Sequence, residues 1–191
     1  MSQLNSKLKT SLIRTGCALL LLLLAGCSSL GTVERPAEML LLKPAQGPVP
    51  VLLTQRVTLS SWGQQKQFVA IARFTYGQSK LVALLPTGQQ LLYLEFDGEQ
   101  LVQRAMPSIE LPGKDILALI QFALWPRDAL QSNYRSEQGW KVDITDRRRE
   151  LTHNDNPWLD VRYDGQQINI YNYLSKYRVL IETLEQKDLV P

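Results

Sequence analysis

Short runs of alternating hydrophobic and polar residues fill most of the chain after Pro50, and turn residues such as Asp97-Gly98 and Asp164-Gly165 separate them. Alternation with a period of two, in runs rich in leucine, β-branched and aromatic residues, predicts strands with one buried face. The spacings between the runs are short, which favours antiparallel hairpins over parallel crossovers. The predicted strands cover residues 51–60, 67–75, 79–85, 90–96, 100–105, 139–145, 148–153, 158–163, 166–173 and 176–184.

The periodicity changes between the fifth and the sixth predicted strand. Ile116 and Ile120 mark an apolar pattern at helical spacing, in a segment that Pro112 opens and Pro126 ends, and this predicts a helix. A second, shorter helix is predicted over residues 127–134. Five strands, a helical insert and five further strands predict an α+β, mainly β fold. It is a single curved antiparallel sheet, or incomplete β-barrel, whose concave face the helical insert covers.

The hairpin of the third and fourth predicted strands carries more hydrophobic residues than one buried face requires. Leu81–Leu85 and Leu91–Leu94 are apolar at odd and even positions alike, whereas a sheet with one solvated face alternates. Both faces of this hairpin are therefore expected to be covered. The inserted helix can cover one face, and the other needs loops of the chain itself, a membrane surface or an apolar ligand.

The N-terminal residues predict secretion. An apolar run over residues 15–25 follows Lys7, Lys9 and Arg14; it is too short to span a membrane and is typical of a signal peptide. The run ends in Leu24-Ala25-Gly26-Cys27, which resembles the lipobox of bacterial lipoproteins.

The lipobox resemblance implies that residues 1–26 are removed and that Cys27 becomes the lipidated N-terminus. Attachment of two or more acyl chains would give a stable anchor in the membrane. In lipoproteins of Gram-negative bacteria, a serine directly after the cysteine, as Ser28 is here, implies sorting to the outer membrane. We therefore expect a lipid-anchored protein on the periplasmic face of that membrane.

Three segments follow from these patterns. Residues 1–26 are the signal peptide, residues 27–50 are the lipidated N-terminus and a tether rich in proline, and residues 51–191 form the half-barrel domain. Within the tether, Met39–Leu42 is too apolar to be left in water and is expected to dock on the domain.

Composition excludes several function classes. The formal charge of +3 comes from the three basic residues of the signal peptide, so the mature chain is neutral and lacks the basic surplus that nucleic-acid binding needs. His153 is the only histidine and is expected at the surface, at the end of a strand. No nucleophile and base pair, multi-histidine metal site or phosphate-binding loop can be assembled, so neither an enzyme nor a cofactor is predicted.

Two groups of charged residues have a structural interpretation. Arg147–Arg149 could touch anionic head groups, but nearby acidic residues neutralise the cluster, which favours a hairpin end kept soluble by charge. The aspartates of this region are expected in turns and at strand ends, where aspartate bonds to the local backbone. They are Asp143, Asp146, Asp155, Asp160 and Asp164.

The stretch Lys80–Leu94 places Leu84-Leu85-Pro86-Thr87-Gly88 between two apolar strands, and it resembles the corresponding hairpin of the LolB family of outer-membrane lipoprotein receptors. The insert from Ile116 to Pro126 resembles that family too. The resemblance implies a half-barrel with a helical lid over an apolar cavity, and a cargo received from a periplasmic carrier. Thr87 stands where that family has a protruding leucine, so the step that inserts lipoproteins into the membrane is not carried over.

Two functions are compatible with the sequence. The favoured one is a monomeric, non-enzymatic outer-membrane lipoprotein that binds an acyl chain, a lipid or a lipidated cargo in an apolar half-barrel cavity, within envelope lipid or lipoprotein trafficking. The alternative is a structural or assembly lipoprotein that offers its sheet edges and apolar patches to envelope proteins. The residues predicted to line the cavity are Leu84, Leu85, Leu92, Leu94, Ile116, Ile120 and Trp125.

Overall fold

The computed structural model describes residues 37–107 and 111–189. The predicted signal peptide, Cys27 and Ser28 lie outside the described residues. A compact unit begins at Ala37, and residues 37–50 therefore belong to the folded part of the chain. No helix in the two described ranges combines the length and the apolar character needed to cross a membrane.

Within these two described ranges, ten strands and two α-helices form the fold, in the order that the hydrophobic pattern predicts. The first five strands are β1 (Val51–Ser61), β2 (Gln64–Phe74), β3 (Ser79–Leu84), β4 (Gln90–Phe96) and β5 (Leu101–Ala105). The helical insert contains α1 (Gly113–Leu124) and α2 (Arg127–Asn133). The last five strands are β6 (Trp140–Ile144), β7 (Arg148–His153), β8 (Asn156–Asp164), β9 (Gln167–Asn172) and β10 (Tyr177–Asp188).

All ten strands belong to one antiparallel sheet with the order β5-β4-β3-β2-β1-β10-β9-β8-β7-β6. The first and last strands of the chain pair in the middle, and β5 and β6 are the two edges. Because the helical insert connects β5 to β6, it runs from one edge of the sheet to the other. The predicted fold class is confirmed: the sheet is open and curved, and the insert packs on one face of it.

The two faces of the sheet follow the pleat. In β1, Leu53 and Val57 are buried and point to the same face as Ile181 in β10, which pairs with Val57. Ala72 and Leu81 continue this inner face through β2 and β3, because they lie in register with Leu53. The alternation that predicted these strands therefore arises from one core between the sheet and the helices.

Two strands extend three or more residues beyond a predicted end. The strand β2 begins at Gln64 rather than at residue 67, and β10 ends at Asp188 rather than at residue 184. Both extensions are mostly polar and pair with the ends of β1, where Ser61 faces Gln64 and Val51 faces Asp188. Backbone pairing with a long neighbour extends these strands without any hydrophobic signal.

The helix α1 packs closely against the sheet at its first residue. A Cβ atom on Gly113 would lie 2.1 Å from Oε1 of Gln103 and 2.6 Å from a methyl carbon of Leu94. Glycine therefore permits this close approach. Farther along the helix, Leu117 and Phe122 are fully buried, which matches the amphipathic spacing that predicted the element.

Residues 37–47 form a strap that packs against the helices ahead of β1. Met39 and Leu42 are 5% and 1% exposed and belong to the same core as the sheet. The expected docking of this apolar segment is thus confirmed. The strap ends in a short 3-10 turn, Pro44–Gln46.

Candidate functional site

Five of the seven predicted cavity residues lie on the inner side of the sheet or on the helix that faces it. Leu92, Leu94 and Trp125 are almost fully buried, at 2%, 0% and 0% exposed. Ile116 and Ile120 are partly buried and pack against the same core. These five side chains are packed among residues of the chain itself, and none of them lines either of the concave regions described below.

The other two predicted residues, Leu84 and Leu85, lie elsewhere. Leu84 follows the inward-facing Ala83 and pairs with Val69, so its side chain projects from the outer face of the sheet. Leu85 belongs to the turn between β3 and β4, where its backbone N–H donates to the carbonyl oxygen of Gln89 at 2.9 Å. The structure therefore does not bring these two leucines to the inner face.

The outer face of the same hairpin explains its excess of hydrophobic residues. Ile71, Val82 and Tyr93 lie in register across β2, β3 and β4, next to the pair formed by Val69 and Leu84. All five are partly buried. The inner face is covered as expected, and the outer face is partly covered within the part of the chain that the structure describes.

The strap is bound to the helices through its backbone. Gln121 of α1 is fully buried; its Oε1 accepts from the Leu42 N–H and its Nε2 donates to the Leu42 carbonyl, both at 2.8 Å. The Tyr134 hydroxyl accepts from the Leu40 N–H at 3.2 Å and donates to the Leu40 carbonyl at 3.4 Å, and burial raises the pKa of this hydroxyl. Two side chains thus provide hydrogen-bond partners for the strap backbone, as a neighbouring strand would.

Trp125 lies where the strap meets the sheet. Its ring packs edge-on against Phe74 with centroids 5.1 Å apart, and its Nε1 donates to the Lys43 carbonyl at 3.4 Å. The strap turns at Gly47, where a Cβ atom would lie 3.1 Å from the indole ring. The space beside Trp125 is therefore occupied by the strap.

A cleft of about 430 Å³ opens under the C-terminal end of α1. Its apolar walls come from Leu53, Ala123, Leu124 and Ile168, and polar groups from four strands reach the same space. Those polar residues include Gln55, Arg149, Tyr163 and Thr183. Gln55 is only 4% exposed, and its Nε2 donates to the Thr183 hydroxyl at 3.2 Å.

Arg149 and Tyr163 hold the end of α1 above this cleft. Nη1 of Arg149 donates to the carbonyl oxygens of Phe122 and Trp125, both at 2.8 Å, and the Tyr163 hydroxyl donates to the Ala123 carbonyl at 2.7 Å. These bonds satisfy carbonyls that a helix end leaves without partners. Burial raises the pKa of Tyr163 to about 12 and lowers the pKa of Arg149.

The expectation that Arg149 lies with its neighbours at a solvated hairpin end is wrong for this residue, which is half-buried. The residue lies within β7, two positions before the fully buried Leu151, so the pleat directs both side chains to the inner face. The two-residue spacing between Arg149 and Leu151 in the sequence could have predicted this shared face. The run of three arginines concealed it, because a charge cluster is usually a solvated surface.

Arg148 points to the outer face and forms an ion cluster there. Its Nε and Nη2 donate to the two carboxylate oxygens of Asp160 at 3.0 and 3.1 Å, and Nη2 of Arg162 donates to Oδ2 at 2.9 Å. Asp160 is 5% exposed and lies in the middle of β8, so the expectation of a turn or strand end is wrong for this aspartate. The cluster lines an open groove of about 1110 Å³.

Replacement of Asp160 by asparagine is expected to destabilise the fold in a pH-dependent way. Burial alone raises the pKa of this carboxyl, but bonds and charges of Arg148 and Arg162 outweigh it, so the pKa lies below its ordinary value. The ionised form therefore stabilises the fold above the unfolded pKa of about 3.9, and this stabilisation is lost as the pH falls through the lower folded pKa.

For Asp160→Asn we expect a loss of about 1.5–3 kcal/mol at pH 7, the range for hydrogen bonds to charged groups. Urea denaturation of the parent chain and of Asp160→Asn at pH 7 and pH 3 measures this loss. The difference in the free energy of unfolding is expected to be smaller at pH 3. An equal gap at both pH values would contradict this account of the cluster.

The one histidine lies at the predicted place, the end of a strand. His153 ends β7, contacts the rings of Trp140 and Trp158, and has Nε2 3.2 Å from the Gln138 carbonyl oxygen. Within residues 37–107 and 111–189, no group of three or more histidine, cysteine, aspartate or glutamate side chains could hold a metal ion.

Comparison with known proteins gives a family. Among solved structures, the chain is similar to a LolA superfamily protein from Nitrosomonas europaea at 10% identity and a TM-score of 0.37, over 75% of this chain and 87% of that one. A likeness of this size adds no argument to the strand order described above. A comparison with curated proteins finds no match. Residues 52–185 match the family described as protein of unknown function (DUF3261), and the chain belongs to that family. The matched range contains the whole helical insert and all of the sheet except the ends of β1 and β10.

Proposed function

We propose that this protein binds a hydrocarbon chain, such as the acyl chain of a lipid or of a lipidated cargo, between its helical insert and its sheet. The observation that carries the proposal is the cleft under the end of α1, whose walls include Leu53, Leu124 and Ile168. Its volume of about 430 Å³ lies within the range of ligand pockets, which are concave and largely apolar.

The helix gives the cleft a route for extension. Ile120 and Ile116 precede Leu124 at intervals of four residues, which places the three on one side of α1. All three are partly buried against the core. A chain that enters beside Leu124 would meet Ile120 and then Ile116 if the helix moved away from the sheet, and each methylene buried there would contribute about 0.8 kcal/mol.

The setting of this activity is part of the same proposal. We infer a lipoprotein anchored through Cys27 to the outer membrane, with Ser28 as the sorting residue and the domain in the periplasm. Support comes from the lipobox resemblance and the signal pattern before it. We propose that the protein is a monomer that binds without catalysis, and that a periplasmic carrier delivers the cargo.

Displacement of a neutral fluorescent probe tests the proposal. The chain from residue 27 onward, with Cys27→Ala so that no lipid is attached, is titrated with N-phenylnaphthylamine and then with hexadecanol. Leu124→Gln is expected to weaken hexadecanol binding roughly fivefold, because about 1 kcal/mol of apolar contact is lost.

Leu174→Gln is the matched control, since Leu174 is 63% exposed in the turn before β10 and does not line the cleft. This variant is expected to bind like the parent chain. Absence of probe binding to the parent chain, or equal hexadecanol affinity in both variants, would refute the proposed site.

A second function is favoured by the outer face of β2, β3 and β4. The partly exposed patch of Val69, Ile71, Val82, Leu84 and Tyr93 is suited to a protein partner in an envelope assembly. Exchange of Val82 for a glutamate would abolish such a complex and leave hydrocarbon binding intact.

A further inference from the structure

We propose that the ligand of the cleft under α1 carries an anionic head group and that Arg149 binds it. This inference rests on the proposed function and specifies its ligand as an amphiphile with a carboxylate or a phosphate at one end. The carrying observation is a half-buried guanidinium that lines the cleft and has no carboxylate partner among the described residues.

The existing contacts of Arg149 use only part of its donors. Both of its hydrogen bonds to protein are made by Nη1, to the Phe122 and Trp125 carbonyls. Within the described ranges, Nε and Nη2 make no hydrogen bond. A guanidinium has five N–H donors in a planar fork, so the N–H groups of Nε and Nη2 remain. Together they can donate two parallel hydrogen bonds to a carboxylate or a phosphate.

The charge of Arg149 is also only partly balanced. The end of a helix carries about half a negative charge, whereas the guanidinium carries a full positive one. The Tyr163 ring, with its centroid 5.4 Å from the guanidinium carbon, adds attraction but no net charge. Glu185 is the acidic residue of the cleft lining, and it is exposed at the rim, where water and salt screen its charge.

The rest of the lining suits a head group with a tail. Gln55 and Thr183 bond to each other at 3.2 Å, and they offer polar groups beside the guanidinium. Leu53, Leu124 and Ile168 form apolar walls around the same space. Burial lowers the pKa of Arg149, which reflects the cost of desolvating its charge, and a bound anion would offset that cost.

Competition with three probes of equal chain length tests the inference. Palmitate, hexadecyl phosphate and hexadecanol each displace N-phenylnaphthylamine at pH 8 from the chain that begins at residue 27 and carries Cys27→Ala. At least one anionic probe is expected to bind about tenfold more tightly than hexadecanol, as a charge-assisted pair implies. The anionic probe that binds more tightly than hexadecanol identifies the head group as a carboxylate or a phosphate.

Three variants test whether the preference depends on the charge at residue 149. Arg149→Met is expected to lose the tenfold preference while hexadecanol still binds, and Arg149→Lys is expected to keep part of it. Arg147→Met removes the same charge from an exposed residue that does not line the cleft, and its preference should be unchanged. Circular dichroism establishes that each variant is folded.

The outcomes are distinguishable. Equal affinity for all three probes in the parent chain, or a preference that survives in folded Arg149→Met, would overturn the inference and leave hydrocarbon binding in place. If Arg149→Met does not fold, the comparison between Arg149→Lys and Arg147→Met decides, because only the lysine variant alters the anion contact. Absence of binding of every probe would refute the proposed function itself.

Discussion

Replacement of Trp125 by alanine is expected to lower the free energy of unfolding by about 3–5 kcal/mol, the range for removing a large aromatic side chain from a core. The indole is fully buried between Phe74 and the strap. Its loss removes the contacts with Phe74 and the strap. It also leaves a cavity, which cannot close fully because the sheet lies on one side of it. The Lys43 carbonyl, which accepts from the indole Nε1, also loses a partner.

Urea denaturation followed by circular dichroism measures this loss. Trp62→Ala is the matched control, because Trp62 is 86% exposed in the turn between β1 and β2. The control is expected to change the free energy of unfolding by less than about 0.5 kcal/mol. Similar losses in the two variants would contradict the inference that packing of Trp125 between Phe74 and the strap stabilises the fold.

Replacement of Gln121 by leucine is expected to cost about 2–4 kcal/mol and to release the strap. The amide of Gln121 provides a partner for both backbone groups of Leu42. Leucine has a similar volume but no polar atoms, so a buried N–H and a buried carbonyl would lose their partners. Each orphaned group costs about 1–3 kcal/mol, and undocking of the strap would limit the total.

Hydrogen exchange distinguishes a released strap from a globally weakened fold. In Gln121→Leu, the amide of Leu42 is expected to exchange faster than the amides of β1, which stay paired on both sides. Asn133→Ala is the matched control, since the Asn133 side chain makes an exposed bond to Gln46 of the strap at 3.2 Å. Protection of Leu42 that is unchanged in Gln121→Leu would contradict the clamp.

The strands and helices could be predicted from the sequence because this sheet has one solvated face along most of its length. In β10, the apolar residues Tyr177, Val179 and Ile181 recur at every second position and reveal both the strand and its inner side. The proline residues before and after α1 mark its limits in the same way. The pattern did not predict the polar ends of β2 and β10, because strand pairing rather than hydrophobicity extends them.

The candidate site was less predictable because alternation does not say which face a doubly apolar strand buries. Leu84 and Leu92 look equivalent in the sequence, but the register places one outside and the other inside. The clamp of Gln121 on Leu42 joins residues 79 positions apart, and no local pattern encodes it. Arg149 likewise acquires its role only when β7 meets the end of α1.

The excess of hydrophobic residues in the chain has two locations. One part fills the core, which includes Leu92 and Leu94 of the sheet and Met39 and Leu42 of the strap. Another lies on the outer face of β2, β3 and β4. The open cleft lies instead at the end of α1 and is not lined by these core residues.

Native mass spectrometry tests whether this protein carries hydrocarbon under its helical insert. The chain from residue 27 onward, with Cys27→Ala, is purified without detergent from its own host and compared with Leu124→Gln. The account predicts a species heavier than the protein by the mass of one amphiphile, in a fraction that falls in Leu124→Gln. A spectrum of the bare protein alone, or of a stoichiometric complex with another protein and no lipid, would contradict it.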